Sequence, residues 1–171
     1  ITINGLTKTY AVTGWRVGWA IAPAPITRRI RKVHDFLTVG APTPLQIAGV
    51  TALQLPDAYY RELAAGYRWS RDYLVAGLKE AGFRPYVPAG SYYIMADCGD
   101  LMDRLEAVDD TDFARRLIET AGIATVPGSA FYADPDSGRR QVRFAFCKQR
   151  QTLQRARERL AALGAAGGGR A

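Results

Sequence analysis

The sequence predicts an α/β fold whose two parts are joined by a long helix. Strand and helix signals alternate along the chain, with short connections and no internal repeat. Apolar residues at helical spacing run from about Asp57 to Ala81, which is long for a helix inside one compact domain. We therefore expect the last elements of a larger α/β domain at 1–56, and a connecting helix with a small α+β domain at 57–163. The Gly- and Ala-rich segment 164–171 is expected to be a flexible tail.

The first part is predicted to hold a strand and two helices. The opening residues, ITINGL, read like the end of an interior strand, which indicates that an N-terminal part precedes them. A strand is expected at 15–21, WRVGWAI, and a helix at 26–36, where Pro23 and Pro25 suit its start. The helix is amphipathic, and its predicted inward face consists of Ile26, Ile30, Val33 and Phe36. A second helix follows the GAPTP break and is stopped by Pro56.

The second part is predicted to be a small α+β unit. Strands are expected at 91–96, 123–126 and 140–146, and helices at 111–121 and 149–163. The first of these strands, SYYIMA, is apolar enough to be central in its sheet. Asp110 or Thr111 would cap the helix that Gly122 ends.

Composition bounds the class of protein. The chain of 171 residues is 48% hydrophobic and 23% charged, as in an ordinary globular domain. No apolar run approaches the roughly 20 residues of a membrane span, and no signal peptide opens the sequence, so we expect a cytoplasmic protein that does not bind membranes. Cys98 and Cys147 belong to no CxxC pattern and are expected to be buried apolar residues. His34, the single histidine, has no neighbouring ligand residue, so we expect no metal site.

The net charge of +7 raises the question of nucleic-acid binding. Residues 1–34 hold six basic residues and no acid, and residues 139–171 hold nine basic residues and one acid. In the predicted helix 149–163 the arginines divide between the two flanks of the apolar face, and they form no single basic stripe. We therefore expect no nucleic-acid partner.

The stretch GLTKTYAVTGWRVG, residues 5–18, contains Lys8 and Arg16 with no acid near either. Burial would lower the pKa of such a lysine and favour the free amine, which is the nucleophile that forms Schiff bases. The alternative is a lysine exposed in a surface loop. The residues around Lys8 leave both readings open.

This stretch resembles the cofactor-lysine motif of the class I/II aminotransferases, the fold type I pyridoxal 5'-phosphate (PLP) enzymes related to aspartate aminotransferase. PAGSYYIMAD at 88–97 and VRFAFCK at 142–148 resemble two small-domain strands of the family, in the same order and at similar spacing. The resemblance extends nearly to Leu163 and is greatest to the kynurenine, glutamine and methionine aminotransferases. It implies that this chain is the C-terminal part of such an enzyme, incomplete and inactive by itself.

The resemblance also implies roles for three residues. Lys8 would be the Schiff-base lysine that binds PLP and moves a proton during catalysis. Arg16 would bind the cofactor phosphate, and Arg143 would bind the substrate carboxylate through a bidentate pair. Gly5 departs from the pattern, since the family often has a phosphate-binding serine three residues before the lysine.

The expected activity is the transfer of an amino group from an L-amino acid to a 2-oxo acid, in a homodimer. Two alternatives remain open at this point. The same residues would serve a PLP-dependent C–S β-lyase, which releases pyruvate and ammonia. The chain would also suit the non-catalytic, aminotransferase-like module of a transcription regulator.

Overall fold

A computed structural model of the chain describes residues 1–165. The chain divides into two compact units, one comprising Ile1–Tyr60 and the other starting at Arg61. The sequence placed the corresponding division at 56/57. Within residues 1–165, no helix is both long enough and apolar enough to cross a membrane.

The first unit contains a two-stranded antiparallel sheet and short helices. Strands β1 (Thr2–Gly5) and β2 (Gly18–Ile21) pair antiparallel. Between them lie the one-turn helix α1 (Leu6–Thr9) and a 3-10 turn (Thr13–Trp15), and after them come α2 (Ala24–Leu37) and α3 (Thr43–Leu53).

The strand predicted at 15–21 is therefore shorter than expected. Trp15 ends the 3-10 turn, and Arg16 has φ 52°, in the left-handed region. A strand requires extended backbone, so β2 starts only at Gly18. The alternating apolar residues from Trp15 resembled a strand because period-two hydrophobicity does not reveal a turn.

The predicted inward face of α2 is not buried. None of its side chains is buried among the described residues, and Phe36 at the end of that face is 94% exposed. The amphipathic pattern is present in the sequence, but within residues 1–165 its apolar face is exposed at Ile26, Val33 and Phe36 and only half-buried at Ile30.

Helix α4 (Asp57–Glu80) begins in the first unit and continues into the second, whereas the predicted helix 57–81 was assigned wholly to the second part. Gly82, two residues after the end of α4, has φ +96°, the left-handed conformation that ends many helices. The second unit contains β3 (Arg84–Pro85), β4 (Tyr93–Asp97), α5 (Gly99–Arg104), α6 (Asp110–Ala121), β5 (Val126–Pro127), β6 (Gln141–Ala145) and α7 (Arg150–Ala165). Of these, β3 and α5 were not predicted.

The sheet of the second unit has the order β3-β4-β6-β5, and every pair is antiparallel. Strand β4 is central, as the sequence predicted. The two edge strands, β3 and β5, have two residues each, and each contains a proline. In β4 and β6 buried residues alternate with half-buried ones, so one face of the sheet lies in the core and the other lies near the surface.

The buried face packs into one hydrophobic core with α4, α5, α6 and α7. Its largest fully buried side chains are Leu78, Ile94, Leu101, Phe113, Leu117, Val142, Phe146, Leu153 and Leu160. This apolar burial is the main stabilising contribution to the second unit.

Three local predictions need correction. The cap of α6 is Asp109, whose side chain accepts a hydrogen bond from Asp112 N at 2.8 Å, in place of Asp110 or Thr111. Cys98 is buried, but Cys147 follows β6 and is exposed. Helix α7 extends through Ala165, two residues into the predicted tail, and residues 166–171 lie outside the described part.

Candidate functional site

The loop between β1 and β2 is closed at its base. Gly5 pairs with Gly18, and Leu6 N donates to Val17 O at 3.1 Å. A Cβ at position 18 would lie 2.8 Å from Asn4 O, and one at position 5 would lie 3.2 Å from Val17 O. The two glycines thus let the strands approach closely. A side chain at position 5 would require Val17 O to shift by a few tenths of an ångström.

Lys8 lies in this loop, on helix α1. The helix is fixed by Leu6, which is 1% exposed and packs against Gly49; a Cβ there would lie 2.7 Å from Leu6 Cδ1. Lys8 is exposed in the described chain. The lysine therefore extends from a helical turn whose backbone is anchored by a buried leucine.

Arg16 lies at the other end of the same loop, one residue before Val17. Its Nη1 donates to Thr13 O at 3.2 Å, and the side chain is exposed. A guanidinium has five N–H donors, so this contact leaves donors for an anionic ligand. The closed hairpin thus holds an amine and a guanidinium within one loop.

Two tyrosines at the start of α4 contact the loop, where a third tyrosine, Tyr10, lies, and sequence reasoning did not single out this group. The Tyr59 hydroxyl donates to Thr9 O at 2.7 Å, and the hydroxyls of Tyr10 and Tyr60 share a hydrogen bond of 2.7 Å. This hydrogen bond, with burial and the neighbouring tyrosines, raises the pKa of Tyr10 to about 12. The adjacent tyrosines at the start of α4 were the available signal.

Arg143 lies in the second unit, at the centre of β6. It pairs with Met95 on one side and Val126 on the other, and its side chain is half-buried on the face away from the core. The guanidinium carbon lies 3.9 Å from the centroid of the Tyr93 ring and 4.2 Å from that of Phe131. Among the ion pairs within residues 1–165, none includes Arg143. Aromatic rings pack on this arginine, and no described carboxylate occupies its donors.

Phe131 is held in place by its own loop. It ends the 3-10 turn Gly128–Phe131, where Ser129 N donates to the buried Asp110 at 2.7 Å. A Cβ on Gly128 would lie 2.5 Å from Gly138 O, so two loop backbones meet there without side chains. Sequence reasoning missed Phe131 and considered Asp110 only as a helix cap, because the contacts of both depend on residues distant in the chain.

The structure therefore brings Lys8 and Arg16 into one loop of the first unit. Arg143 occupies a separate position on the sheet of the second unit. Within the described residues, no group of three His, Cys, Asp or Glu side chains has an arrangement that could hold a metal ion.

Comparison with known proteins gives consistent matches along nearly the whole chain. The family model for aminotransferase class I and II matches residues 1–160. The kynurenine–oxoglutarate transaminase of Dictyostelium discoideum is 38% identical over 94% of this chain. The methionine aminotransferase of Escherichia coli K12 is 37% identical over 94%. The structure of N-succinyldiaminopimelate aminotransferase from Mycobacterium tuberculosis has 37% identity and a TM-score of 0.84 over 95% of the chain.

These matches cover the relatives less completely. The chain spans 40% of the two sequences and 41% of the solved structure. The predicted α/β fold class and the predicted resemblance to the class I/II aminotransferases are both confirmed. The chain belongs to the class I and II aminotransferase family.

Proposed function

We propose that this chain supplies the cofactor lysine, a phosphate-binding arginine and a carboxylate-binding arginine to an aminotransferase. The enzyme would move an amino group from an L-amino acid to a 2-oxo acid. The main support is the closed loop between β1 and β2, which carries Lys8 and Arg16 in a chain of this family. Lys8 is the proposed catalytic residue, Arg16 a cofactor ligand and Arg143 a substrate ligand.

Members of this family use PLP. The donor set of the loop fits this cofactor, since a primary amine forms an imine with an aldehyde and a guanidinium matches a phosphate. The Gly5–Gly18 approach leaves no side chain at the base of the loop. When bound, the cofactor supplies an electron sink for the bond that breaks at the substrate α-carbon.

The residues of the chain would perform the remaining tasks. Lys8 Nζ would hold the cofactor and later, as a free amine, take the proton from the substrate Cα. Arg16 would fix the phosphate through paired hydrogen bonds, and so limit movement of the ring relative to Lys8. Arg143 would bind the α-carboxylate and set the direction of the Cα–H bond.

Borohydride reduction of the full-length protein with PLP, followed by peptide mass spectrometry, tests the lysine assignment. We expect the reduced cofactor on Lys8, and none on Lys79 or Lys148, which lie in other segments. Labelling of another lysine in place of Lys8 would contradict the assignment.

Replacing Arg143 with Lys tests the carboxylate assignment, because an ammonium cannot reproduce the guanidinium fork. Charged hydrogen bonds are worth enough for kcat/KM towards amino acids to fall by about tenfold or more. Arg139→Lys is the matched control, since Arg139 is an exposed arginine that pairs with Asp136 at 3.4 Å. Equal kcat/KM values in the two variants would refute the role of Arg143.

The substrate pair separates this proposal from its alternatives. The relatives found are aminotransferases, which does not favour a C–S β-lyase or a non-catalytic regulator module. Formation of glutamate from 2-oxoglutarate would support transamination, whereas release of pyruvate and ammonia from a sulfur amino acid would indicate the lyase. We also propose a homodimer in the cytoplasm, and light scattering of the full-length protein tests the dimer.

A further inference from the structure

Helix α1 cannot be stable by itself. It has four residues, whereas isolated helices shorter than about 12 residues are marginal in water. Its last carbonyl groups have no partners within the helix, because the hydrogen-bond ladder stops there. Contacts from outside the helix must therefore hold the turn that carries Lys8.

The tyrosine cluster, defined as Tyr10, Tyr59 and Tyr60, supplies such contacts at the C-terminal end of α1. The Tyr59 hydroxyl donates to the carbonyl of Thr9, which is the residue directly after Lys8 and the last of the helix. Tyr10 is the residue that follows the helix, and its backbone N–H donates to Leu6 O. Thr9, the residue next to Lys8, is thus bound to the cluster, and Tyr10, the residue after it, is part of the cluster.

The three rings also pack on one another. Tyr10 and Tyr59 are stacked, with centroids 5.8 Å apart and planes at 12°. Tyr60 meets both rings edge to face, at 6.4 Å from Tyr10 and 5.4 Å from Tyr59. Such aromatic pairs stabilise a structure beyond the area they bury, and rigid rings fix orientation at little entropic cost. The shared hydroxyl hydrogen bond of Tyr10 and Tyr60 adds direction to this packing.

Leu6 anchors the other end of α1, through its burial and the bond from its N–H to Val17 O. Lys8 therefore lies between the buried Leu6 and Thr9, whose carbonyl accepts the hydrogen bond from Tyr59. A lysine that must form an imine and later move a proton gains from a fixed backbone, because small errors in orientation slow both steps.

We propose that Tyr10, Tyr59 and Tyr60 are positioning residues that fix the α1 turn, and so orient Lys8 towards an aldehyde cofactor. The inference rests on the proposed function, because it assigns the cluster to the reaction of Lys8. The cluster does not touch the reacting atoms; it acts through the backbone of Thr9 and Tyr10.

Tyr59→Phe in the full-length protein removes one hydroxyl and keeps the ring. We expect PLP to load onto the cofactor-free variant more slowly by about threefold or more, as the loss of one hydrogen bond implies. Loading is followed by absorbance and by borohydride trapping on Lys8. The pH midpoint of the absorbance of the bound cofactor should shift by about half a unit or more. Tyr86→Phe is the matched control, since this exposed tyrosine lies in the second unit.

A change in loading rate and pH midpoint in Tyr59→Phe, with wild-type values in Tyr86→Phe, supports the inference. Wild-type values in both variants overturn it, even where borohydride labels Lys8. If Lys8 of the wild type is not labelled, the proposed function itself fails, so the two failures are distinguishable. If Tyr59→Phe does not fold, Tyr60→Phe replaces it in the same two measurements. This variant keeps the hydrogen bond from Tyr59 to Thr9 O and removes the one between Tyr60 and Tyr10.

Discussion

Phe131 packs on the guanidinium of Arg143, and replacing it tests how that arginine is held. Phe131→Leu keeps most of the apolar volume and removes the aromatic face. The guanidinium carbon lies 4.2 Å from the ring centroid, well within the range of a cation–π contact. If Arg143 binds a carboxylate, losing this contact should weaken the binding.

The expected size of the effect follows from the exposure of the ring. Cation–π contacts range from about 0.5–1 kcal/mol at exposed sites to about 2 kcal/mol when they are desolvated. Phe131 is 44% exposed, so the lower end of this range applies. Since about 1.4 kcal/mol corresponds to a tenfold change, we expect the Kd for a carboxylate ligand to rise about two- to fivefold. The Tyr93 ring, whose centroid lies 3.9 Å from the guanidinium carbon, still contacts Arg143 in this variant, so carboxylate binding should not be lost completely.

Calorimetric titration of the full-length protein with a 2-oxo acid measures this Kd. Phe36→Leu is the matched control, because it makes the same change at a phenylalanine that is 94% exposed in the first unit. In an Arg143→Leu background the Phe131 substitution should have no further effect, as a double-mutant cycle requires of a direct contact. An equal rise in Kd on Phe131→Leu with and without Arg143 would refute the reasoning.

Two further predictions concern the second unit. Burial, followed by the negative charge of Asp97, raises the pKa of the Cys98 thiol to about 12, so a thiol reagent at pH 8 should label Cys147 and reach Cys98 only on unfolding. Because folding raises this pKa, the protonated Cys98 thiol contributes its full stabilisation of the folded state below the ordinary pKa of 9.0. That contribution is lost as the pH rises towards 12, and urea titrations from pH 8 to 11 would detect the lower free energy of unfolding. Rapid labelling of both thiols in the folded protein would contradict this. Gly128→Ala should lower the free energy of unfolding by about 1–3 kcal/mol, since its Cβ would lie 2.5 Å from the Gly138 carbonyl oxygen, which cannot rotate away. Gly90→Ala is the control for thermal denaturation, because the space around Gly90 is open. Equal melting temperatures of the Gly128→Ala and Gly90→Ala variants would contradict the prediction, because they would show that the backbones at Gly128 and Gly138 move apart easily.

Local patterns predicted the elements that are long or strongly apolar. Helix α4 was predicted at 57–81 and found at Asp57–Glu80, because helical spacing over many residues leaves little ambiguity. Strand β4 was recognised as central from its apolar residues alone. The turn at Trp15 and Arg16 was missed, since a left-handed arginine leaves no mark in a hydrophobicity pattern.

The site was predictable only where it is local in sequence. Lys8 and Arg16 were proposed from the sequence because both belong to one motif, and both lie in the loop between β1 and β2. The tyrosine cluster depends on contacts between residues about fifty positions apart, which spacing along the chain does not reveal. The same holds for Phe131, whose ring meets an arginine on a different element. The residues proposed for the reaction were thus visible in the sequence motifs, and the residues that contact them from distant positions were not.

The brevity of the edge strands β3 and β5 has a consequence for solubility. An exposed strand edge offers unpaired amide and carbonyl groups to any other extended chain, and so favours aggregation. Here each edge has only two residues, and Pro85 and Pro127 each remove one N–H donor. The apolar central strands are therefore shielded from intermolecular pairing by neighbours too short to act as templates. Lengthening either edge, or replacing its proline, would create a surface on which chains add to one another during synthesis and concentration.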